Sequence, residues 1–298
     1  MVGRKKMNKK KITSDEIVTG FIYILLGILG ICALYPFVYV VSSSLSSGRS
    51  VDMGTVLLFP KEFTVDAYGY VLKEKIFWIS YLNTLFYTLV GTTWSMFISA
   101  PGAYALSRKR LKGKRMFNFL LVFTMWFNAG MIPMYLNYKS LGIVDNRWGI
   151  IVAFGVQAFN IILLRNYFES IPVSLEEAAM IDGANNFKIF FRIFLPLSKP
   201  ALTTVILYYA IGRWNGFFWT MVLIRDINKT PLQVYLRKMI SEKEAMADEV
   251  ANTLLSTSYS PDTIIYAVIV ASMIPVMIVY PYIQKYFTKG IMVGGVKE

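Results

Sequence analysis

Six long apolar stretches run along the chain, and shorter polar segments separate them. They cover about residues 17–41, 80–107, 117–136, 148–168, 201–224 and 264–287. A bilayer core about 30 Å thick needs about 20 apolar residues in each spanning helix. A helix is favoured in lipid because it satisfies its own backbone hydrogen bonds. The pattern therefore predicts an all-α integral membrane protein with six transmembrane helices over residues 17–287.

The basic residues are distributed unevenly between the two sets of connecting segments. Residues 1–16, 107–116, 169–200 and 284–298 together hold 18 Lys and Arg, whereas 42–79, 137–147 and 225–263 hold 11 in longer segments. Cytoplasmic loops are enriched in Lys and Arg. The distribution predicts that both termini, the basic tail 1–16 and the tail 288–298, lie in the cytoplasm together with segment 169–200.

Composition removes several classes of function. Of the 298 residues, 55% are hydrophobic and 16% charged, and the net charge of +13 comes from residues beside the apolar stretches, so it indicates membrane topology rather than nucleic-acid binding. The chain has no histidine, and its one cysteine, Cys32, lies inside the first apolar stretch. Ser-His-Asp chemistry and the commonest zinc sites are therefore excluded. We predict no catalytic residue and no metal site.

Segment 169–200 carries a spaced motif. Glu177-Ala178-Ala179 is followed after three residues by Gly183, and after nine more by Ile193, with Leu195-Pro196 close behind. Ser174 and Glu177 have the spacing of a helix N-terminal capping box, and Asp182-Gly183 can end that helix because glycine tolerates a left-handed turn.

A second short helix is predicted after the turn. Asn185 or Asn186 can cap it, and Leu195-Pro196 would end it before the fifth apolar stretch. The segment is thus expected to form a helix-turn-helix on the cytoplasmic side.

This motif resembles the cytoplasmic coupling loop of permease subunits of binding-protein-dependent ABC importers, in particular the sugar importers of the maltose type. Further similarity lies in Ala103-Tyr104-Ala105-Leu106-Ser107-Arg108, in Leu164-Arg165-Asn166-Tyr167-Phe168 and in Arg213-Trp214-Asn215-Gly216-Phe217. The resemblance implies a six-span permease of the type I, maltose-permease-like architecture in a bacterial-type cytoplasmic membrane. It implies that the coupling loop contacts an ATPase subunit through Glu177, Ala178, Ala179, Asp182, Gly183, Ile193, Leu195 and Pro196.

The resemblance also implies partners. These are a second homologous permease subunit, two ATPase subunits, an extracytoplasmic solute-binding protein and a carbohydrate substrate, which we expect to be an oligosaccharide. The chain has no G-x-x-x-x-G-K-[ST] loop to hold nucleotide phosphates. We therefore expect it to bind no cofactor and to hydrolyse no ATP, with ATP and Mg²⁺ bound on the partner subunits.

Polar side chains within the apolar stretches are candidates for the substrate path, because such groups usually face a bundle interior or an aqueous cavity. These candidates are Asn128, Gln157, Asn160, Tyr209, Arg213, Trp214 and Asn215. Each amide could equally bridge helices within the bundle. Arg213 could instead pair with a backbone carbonyl or with the partner permease, and Trp214 could serve packing.

Two alternative functions remain open at this point. An ABC permease for a non-sugar solute would carry the same coupling motif. An ion-coupled secondary transporter would need acids inside its spans for a relay, and the interior of the six stretches contains no Asp or Glu.

Overall fold

The computed structural model describes residues 14–250 and 259–295, and the regular elements within these ranges are all helical. They are α1 (Ser14–Ser44), α2 (Gly48–Asp52), α3 (Asp66–Lys73), α4 (Lys75–Ser107), α5 (Lys114–Trp126), α6 (Met131–Ser140), α7 (Arg147–Ala153), α8 (Ala158–Ser170), α9 (Val173–Ile181), α10 (Asn186–Ile189), α11 (Leu195–Leu197), α12 (Lys199–Asn215), α13 (Phe218–Leu223), α14 (Leu232–Val250) and α15 (Pro261–Gly295). A π-helical turn covers Phe190–Phe194 and a 3₁₀ turn covers Ile227–Lys229. Most of the predicted N-terminal tail and the last three residues of the predicted C-terminal tail lie outside the described residues.

Several predicted spans are interrupted. Within the described residues, only Val18–Ser44 and Pro261–Pro281 are single helices long and apolar enough to cross a bilayer. Three bent pairs reach that length together: α5 with α6 at 117°, α7 with α8 at 49°, and Asn186–Leu197 with α12 at 83°. The continuous helices expected over 117–136, 148–168 and 201–224 are therefore wrong in detail, because the chain breaks at 127–130, at 154–157 and at 216–217.

The chain divides into two compact units, of which the first comprises residues 14–70 and 259–270. A cluster of buried serines lies at the end of α1 and just after it, namely Ser42, Ser43, Ser44 and Ser46. The hydroxyl of Ser42 donates to the carbonyl of Leu58 at 2.7 Å. The hydroxyls of Ser44 and Ser46 donate to the carbonyls of Val41 and Ser42 at 2.8 and 2.7 Å, so they satisfy carbonyls left open where α1 ends.

The second unit, residues 71–248 and 271–295, is built around the long helix α4. The 33 residues of α4 span about 50 Å at 1.5 Å per residue. A stripe of small and hydroxyl-bearing side chains runs along its buried side, namely Ser80, Thr84, Gly91, Ser95, Ser99, Ala103 and Ser107. Ser95 and Ser99 contact Arg213 and Tyr209 of α12, and Thr84 accepts from the N–H of Leu232. Small residues let helix backbones approach closely. The hydroxyl groups make α4 less hydrophobic on average, although much of the helix is buried against other helices.

An aromatic core joins α4, α8 and the segment after α9. Tyr104, Phe168 and Phe194 are buried there, and the ring centroids of Tyr104 and Phe194 lie 5.0 Å apart in an edge-to-face arrangement. Leu164 and Val205 complete this core and are fully buried. The core therefore attaches the segment 171–197 firmly to the helical bundle.

The start of α9 differs from the sequence prediction. The helix begins at Val173 with Pro172 as its N-cap, and no side chain caps it, so the expected capping box of Ser174 and Glu177 does not form. Proline pre-sets the backbone angle at a helix start. The predicted stop before the fifth span is also displaced, because helix continues past Pro196 to Leu197 and the chain bends at Ser198.

Candidate functional site

The break between α7 and α8 opens onto a cavity of about 360 Å³. This volume falls within the range of small-molecule sites. Gln157, Tyr209, Arg213, Asn215 and Trp219 are among the side chains that line it. Irregular backbone at membrane depth is tolerated where it lines a cavity or is buried in protein. The break thus places amides, aromatic rings and one cation around a common space.

Arg213 satisfies the carbonyl end of α7. Its Nη2 atom donates to the carbonyl of Phe154 at 2.8 Å and to that of Ile151 at 3.0 Å. The last carbonyls of a helix lack intrahelical partners and carry partial negative charge. The guanidinium therefore acts as a side-chain cap from α12, which is one of the two structural roles considered for it from the sequence.

Tyr209 supports the other side of the same break. Its hydroxyl accepts a hydrogen bond from the backbone N–H of Gln157, the N-cap of α8, at 3.2 Å. The hydroxyl of Ser99 on α4 lies 2.7 Å from the Tyr209 hydroxyl, and Tyr209 is fully buried. Helix α12 thus satisfies backbone groups on both sides of the interruption.

A second candidate site is the elbow, defined as residues 171–197. Helix α9 ends at Ile181 with Asp182 as its C-cap, and Gly183 follows with φ of +76°, a left-handed conformation that side chains disfavour. The Oδ1 atom of Asn185 then accepts from the N–H of Lys188 at 2.9 Å and caps α10, as the sequence predicts. The elbow therefore has a defined turn between two short helices.

A buried ion pair fixes the elbow to α4. Arg108, which follows the last residue of α4, pairs with Glu176 in α9, and both side chains are only 9% exposed. Arg108 also donates to the carbonyl of Phe168 at the end of α8 at 3.2 Å, and its guanidinium lies 4.2 Å from the ring centroid of Phe194. One side chain thus connects α4, α8, α9 and the π-helical turn.

Arg110 connects the two halves of the elbow. It lies 3.2 Å from Glu176 in α9 and donates to the side chain of Asn186 in α10. On the outside of the same turn, Ile181 is 87% and Phe187 76% exposed. The elbow is therefore braced from within by arginines and presents large apolar side chains outward.

The connection before α7 is fastened to the connection after α13. Asp145, with φ of +55°, accepts from the N–H groups of Arg225 and Asp226, and its carboxylate lies 3.0 Å from the Nζ atom of Lys229. The N–H of Asp226 and the ammonium of Lys229 lower the pKa of Asp145. These contacts hold the start of α7 and the end of α13 together.

A lowered carboxyl pKa in the folded state adds stability above the ordinary pKa, and that stability is lost as the pH falls through the folded value. We expect Asp145→Asn to lower the thermal unfolding temperature at pH 7 and to have a diminishing effect as the pH falls below 3.8. Thermal unfolding of purified protein in detergent measures this. Glu242→Gln on the exposed face of α14 is the matched control. An effect of Asp145→Asn that is independent of pH would contradict the electrostatic assignment.

A comparison with protein families assigns this architecture. A profile described as "Binding-protein-dependent transport system inner membrane component" matches residues 80–293, which includes both candidate sites. The chain belongs to this family. The family expected from the spaced motif is thereby confirmed, and the chain is a membrane component of a binding-protein-dependent transport system.

Relatives of this transport component include oligosaccharide permeases. The polygalacturonan/rhamnogalacturonan transport system permease protein of Bacillus subtilis (strain 168) is 42% identical over 95% of this chain and 98% of its own length. The galactooligosaccharides transport system permease protein of the same organism is 29% identical over 93% of this chain and 95% of its own. A chain in the crystal structure of a bacterial ABC transporter that imports the acidic polysaccharide alginate is 53% identical, with a TM-score of 0.85 over 92% of this chain and 98% of that chain.

The structure brings some of the predicted path residues of this transport component together. Gln157, Tyr209, Arg213 and Asn215 line the cavity. Asn160 is fully buried and donates to Gln157, and Trp214 is buried and donates to the carbonyl of Ser272. Asn128 accepts from the N–H of Gly130 in the turn between α5 and α6. The last three side chains thus lie outside the cavity lining.

The predicted coupling residues divide into two groups. Glu177, Ala178, Asp182, Gly183 and Pro196 are exposed. Ala179, Ile193 and Leu195 are partly buried and pack against the aromatic core. The first group can contact another protein, while the second attaches the elbow to the bundle.

Sequence reasoning missed the ion pair of Arg108 and Glu176. Glu176 has no place in the predicted motif, and Arg108 enters only within a stretch of family similarity. One signal was available: an acid directly before the Glu-Ala-Ala motif and an arginine at the end of the long second apolar stretch. Their distance in sequence, 68 residues, gave no reason to join them.

Proposed function

We propose that this chain is one permease subunit of an ATP-driven ABC importer and forms half of the translocation path for an oligosaccharide. The cavity at the break between α7 and α8 is the observation that carries the proposal. It combines aromatic rings, which can stack on sugar faces, with the amides of Gln157 and Asn215, which can bind hydroxyl groups. The saccharide names of the relatives support a carbohydrate as the substrate.

The proposed membrane arrangement has six spans. These are α1, α4, α5 with α6, α7 with α8, α12 with α13, and α15. Helix α4 is included because its length exceeds the bilayer core, and because its hydroxyl stripe packs against protein instead of lipid. With the basic segments in the cytoplasm, the elbow lies on the cytoplasmic side and the Asp145 connection lies outside.

The elbow is the proposed contact with an ATPase subunit. Its exposed apolar side chains, Ile181 and Phe187, can fill a groove on a partner in the way that short helices usually dock. Glu177, Ala178 and Gly183 lie on the exposed part of the same elbow. We propose that ATP and Mg²⁺ bind on the ATPase subunits, and that a second permease and an extracytoplasmic binding protein complete the importer.

Transport then proceeds by alternating access. ATP binding closes the two ATPase subunits, and each elbow moves with the groove in which it is seated. The rigid connection to α4 and α8 transfers this displacement to the cavity, which opens towards the docked binding protein. ATP shifts the equilibrium only because it binds the closed state more tightly than the open one.

The proposal predicts different effects for two substitutions at Gly183. A β-branched residue in a left-handed conformation costs about 1 to 2 kcal/mol, so Gly183→Val should reduce the population of the docking-competent elbow about tenfold. Gly183→Asn is the matched control, because asparagine tolerates this conformation. ATP-dependent uptake of labelled oligosaccharide by proteoliposomes that contain the whole importer measures both.

We expect Gly183→Val to lose uptake and binding-protein-stimulated ATPase activity together, while Gly183→Asn retains most of both. Equal activity of the two variants would contradict the role of the elbow. Uptake that follows a proton or sodium gradient without ATP would overturn the proposed function itself.

A further inference from the structure

The cavity has a charge that the proposed function leaves unused. Within the described part of the chain, Arg213 is the one charged side chain among the lining residues, and no Asp or Glu lines the cavity. Its hydrogen bonds go to the neutral acceptors Ile150, Ile151, Phe154 and Ser95, the first three through backbone carbonyls. The described ion pairs involve other residues. Among the residues that the structure describes, no carboxylate therefore pairs with the guanidinium at the cavity.

The helix dipoles at the break do not compensate this charge. The carbonyl end of α7 contributes about half a negative charge and the N-terminus of α8 about half a positive charge. Gln157, the N-cap of α8, lines the same cavity. Because the two ends meet at one break, their partial charges roughly cancel. The charge of Arg213 then determines the sign of the potential in the cavity.

The position of this charge is fixed. Carbonyls of α7 hold Nη2 from one side, and α4 approaches from another, where a Cβ atom at Gly91 would lie 2.8 Å from Cζ of Arg213. A fixed cation that is partly enclosed by protein is screened less than one in open water. Such a cavity favours an anion over a neutral molecule of the same shape.

Resting on the proposed function, we infer that the oligosaccharide for this cavity is an acidic one, with carboxylate-bearing sugar units. Aromatic side chains such as Phe217 and Trp219 contact the rings, and the amides of Gln157 and Asn215 bind hydroxyls. Arg213 supplies charge complementarity for the carboxylates. Its role is electrostatic and requires no release of its hydrogen bonds to α7.

Esterification separates charge from shape in a test of this inference. The whole importer is placed in nanodiscs without binding protein, with its ATPase subunits held in the ATP-bound state. Trimers of galacturonate and of mannuronate are titrated calorimetrically, each beside its fully methyl-esterified form, which keeps the rings and linkages. We expect at least one acid to bind about tenfold more tightly than its ester, as is typical for a charge-assisted contact.

Three variants of this chain accompany the titrations. Arg213→Gln should abolish the difference between the acid and ester affinities when both are measured on that variant. Arg213→Lys keeps the charge but not the planar fork that caps α7, so it should keep the preference for the acid. Arg165→Gln, which removes an arginine bound to Asn118 and Asn166 away from the cavity, should change neither affinity.

Each outcome has a distinct meaning. Equal binding of acid and ester in the native importer overturns the acidic substrate class and leaves the oligosaccharide function intact. An acid preference that survives Arg213→Gln overturns the role of Arg213, and a carboxylate-binding residue of the partner permease then becomes the source. Binding of neither form of either trimer overturns the inference that the cavity takes an acidic oligosaccharide, while the uptake assay of the whole importer tests the oligosaccharide function separately.

Discussion

Replacing Arg108 by alanine is expected to destabilise the protein by about 3 kcal/mol, because the buried Glu176 then keeps only the more exposed Arg110, 3.2 Å away, as a counter-charge. The side chains of both partners are only 9% exposed. The substitution also removes the contact of the guanidinium with the Phe194 ring and its hydrogen bond to Phe168. Glu176→Ala should lower the stability less than Arg108→Ala does, because Arg108 keeps those two contacts. Thermal unfolding of the purified importer in detergent measures both effects.

A second ion pair provides the control for this prediction. Lys114 and Glu169 lie 2.7 Å apart and join α5 to α8, but their side chains are 27% and 37% exposed. Exposed pairs contribute only about 0 to 1 kcal/mol, so Lys114→Ala should hardly change the unfolding temperature. A similar loss for Lys114→Ala and Arg108→Ala would contradict the importance of burial.

The double variant of Arg108 and Glu176 separates stability from coupling. Arg108→Met with Glu176→Leu removes both charges, and apolar replacement of a buried pair is often neutral for stability. We expect this variant to fold and to insert normally. If the pair transfers motion from the elbow to α4, the ATPase activity of an importer that contains this variant should respond only weakly to the loaded binding protein. A fully coupled double variant would show that the pair serves stability alone.

Gly91→Ala is expected to lose transport with a smaller loss of stability. The new Cβ would lie 2.8 Å from Cζ of Arg213, which is too close for van der Waals contact, so the guanidinium would be displaced from its place against α7. Moving it leaves the carbonyls of Ile151 and Phe154 without their donor. Unsatisfied buried acceptors cost about 1 to 3 kcal/mol. Uptake by proteoliposomes and thermal unfolding of the same preparation measure the two effects.

The same helix offers the matched control. Gly102 also lies in α4, and a Cβ atom there meets nothing within 4 Å. Gly102→Ala should stabilise the helix by about 0.5 to 1 kcal/mol through the loss of backbone freedom, with uptake unchanged. Equal loss of uptake in the two variants would contradict the specific role of Gly91 in placing Arg213.

The positions of the helical segments could be predicted from the sequence to a large extent. Every predicted apolar stretch contains helix, and the turn at Gly183 and the cap at Asn185 form as predicted. These features are local, since they depend on apolar runs and on the conformational preferences of single residues. The break at 154–157 was missed because the distant side chains of Arg213 and Tyr209 satisfy its backbone groups. The break at 127–130 was also missed, although Asn128 accepts there from the nearby N–H of Gly130.

The candidate site could likewise be predicted from the sequence only in part. Four polar residues of the cavity could be selected from the sequence because polar groups within apolar stretches are rare. Gln157 lines the cavity, whereas Asn160, three residues later, is buried beside it. Which of the two amides reaches the cavity depends on how α8 is rotated against α4 and α12. Helix rotation is set by the packing of all three helices, and hydropathy does not encode it.

The sequence by itself determined that this is a helical membrane protein with an elbow of two short helices, because apolar length and turn chemistry act over a few residues. The tertiary structure alone decided that Arg213 caps an interrupted helix and that Arg108 is buried against Glu176. Both contacts join residues more than 55 positions apart. Such pairings arise only when α12 packs against α7 and the end of α4 packs against α9, since only then do the open carbonyls and the buried charges come within hydrogen-bonding distance.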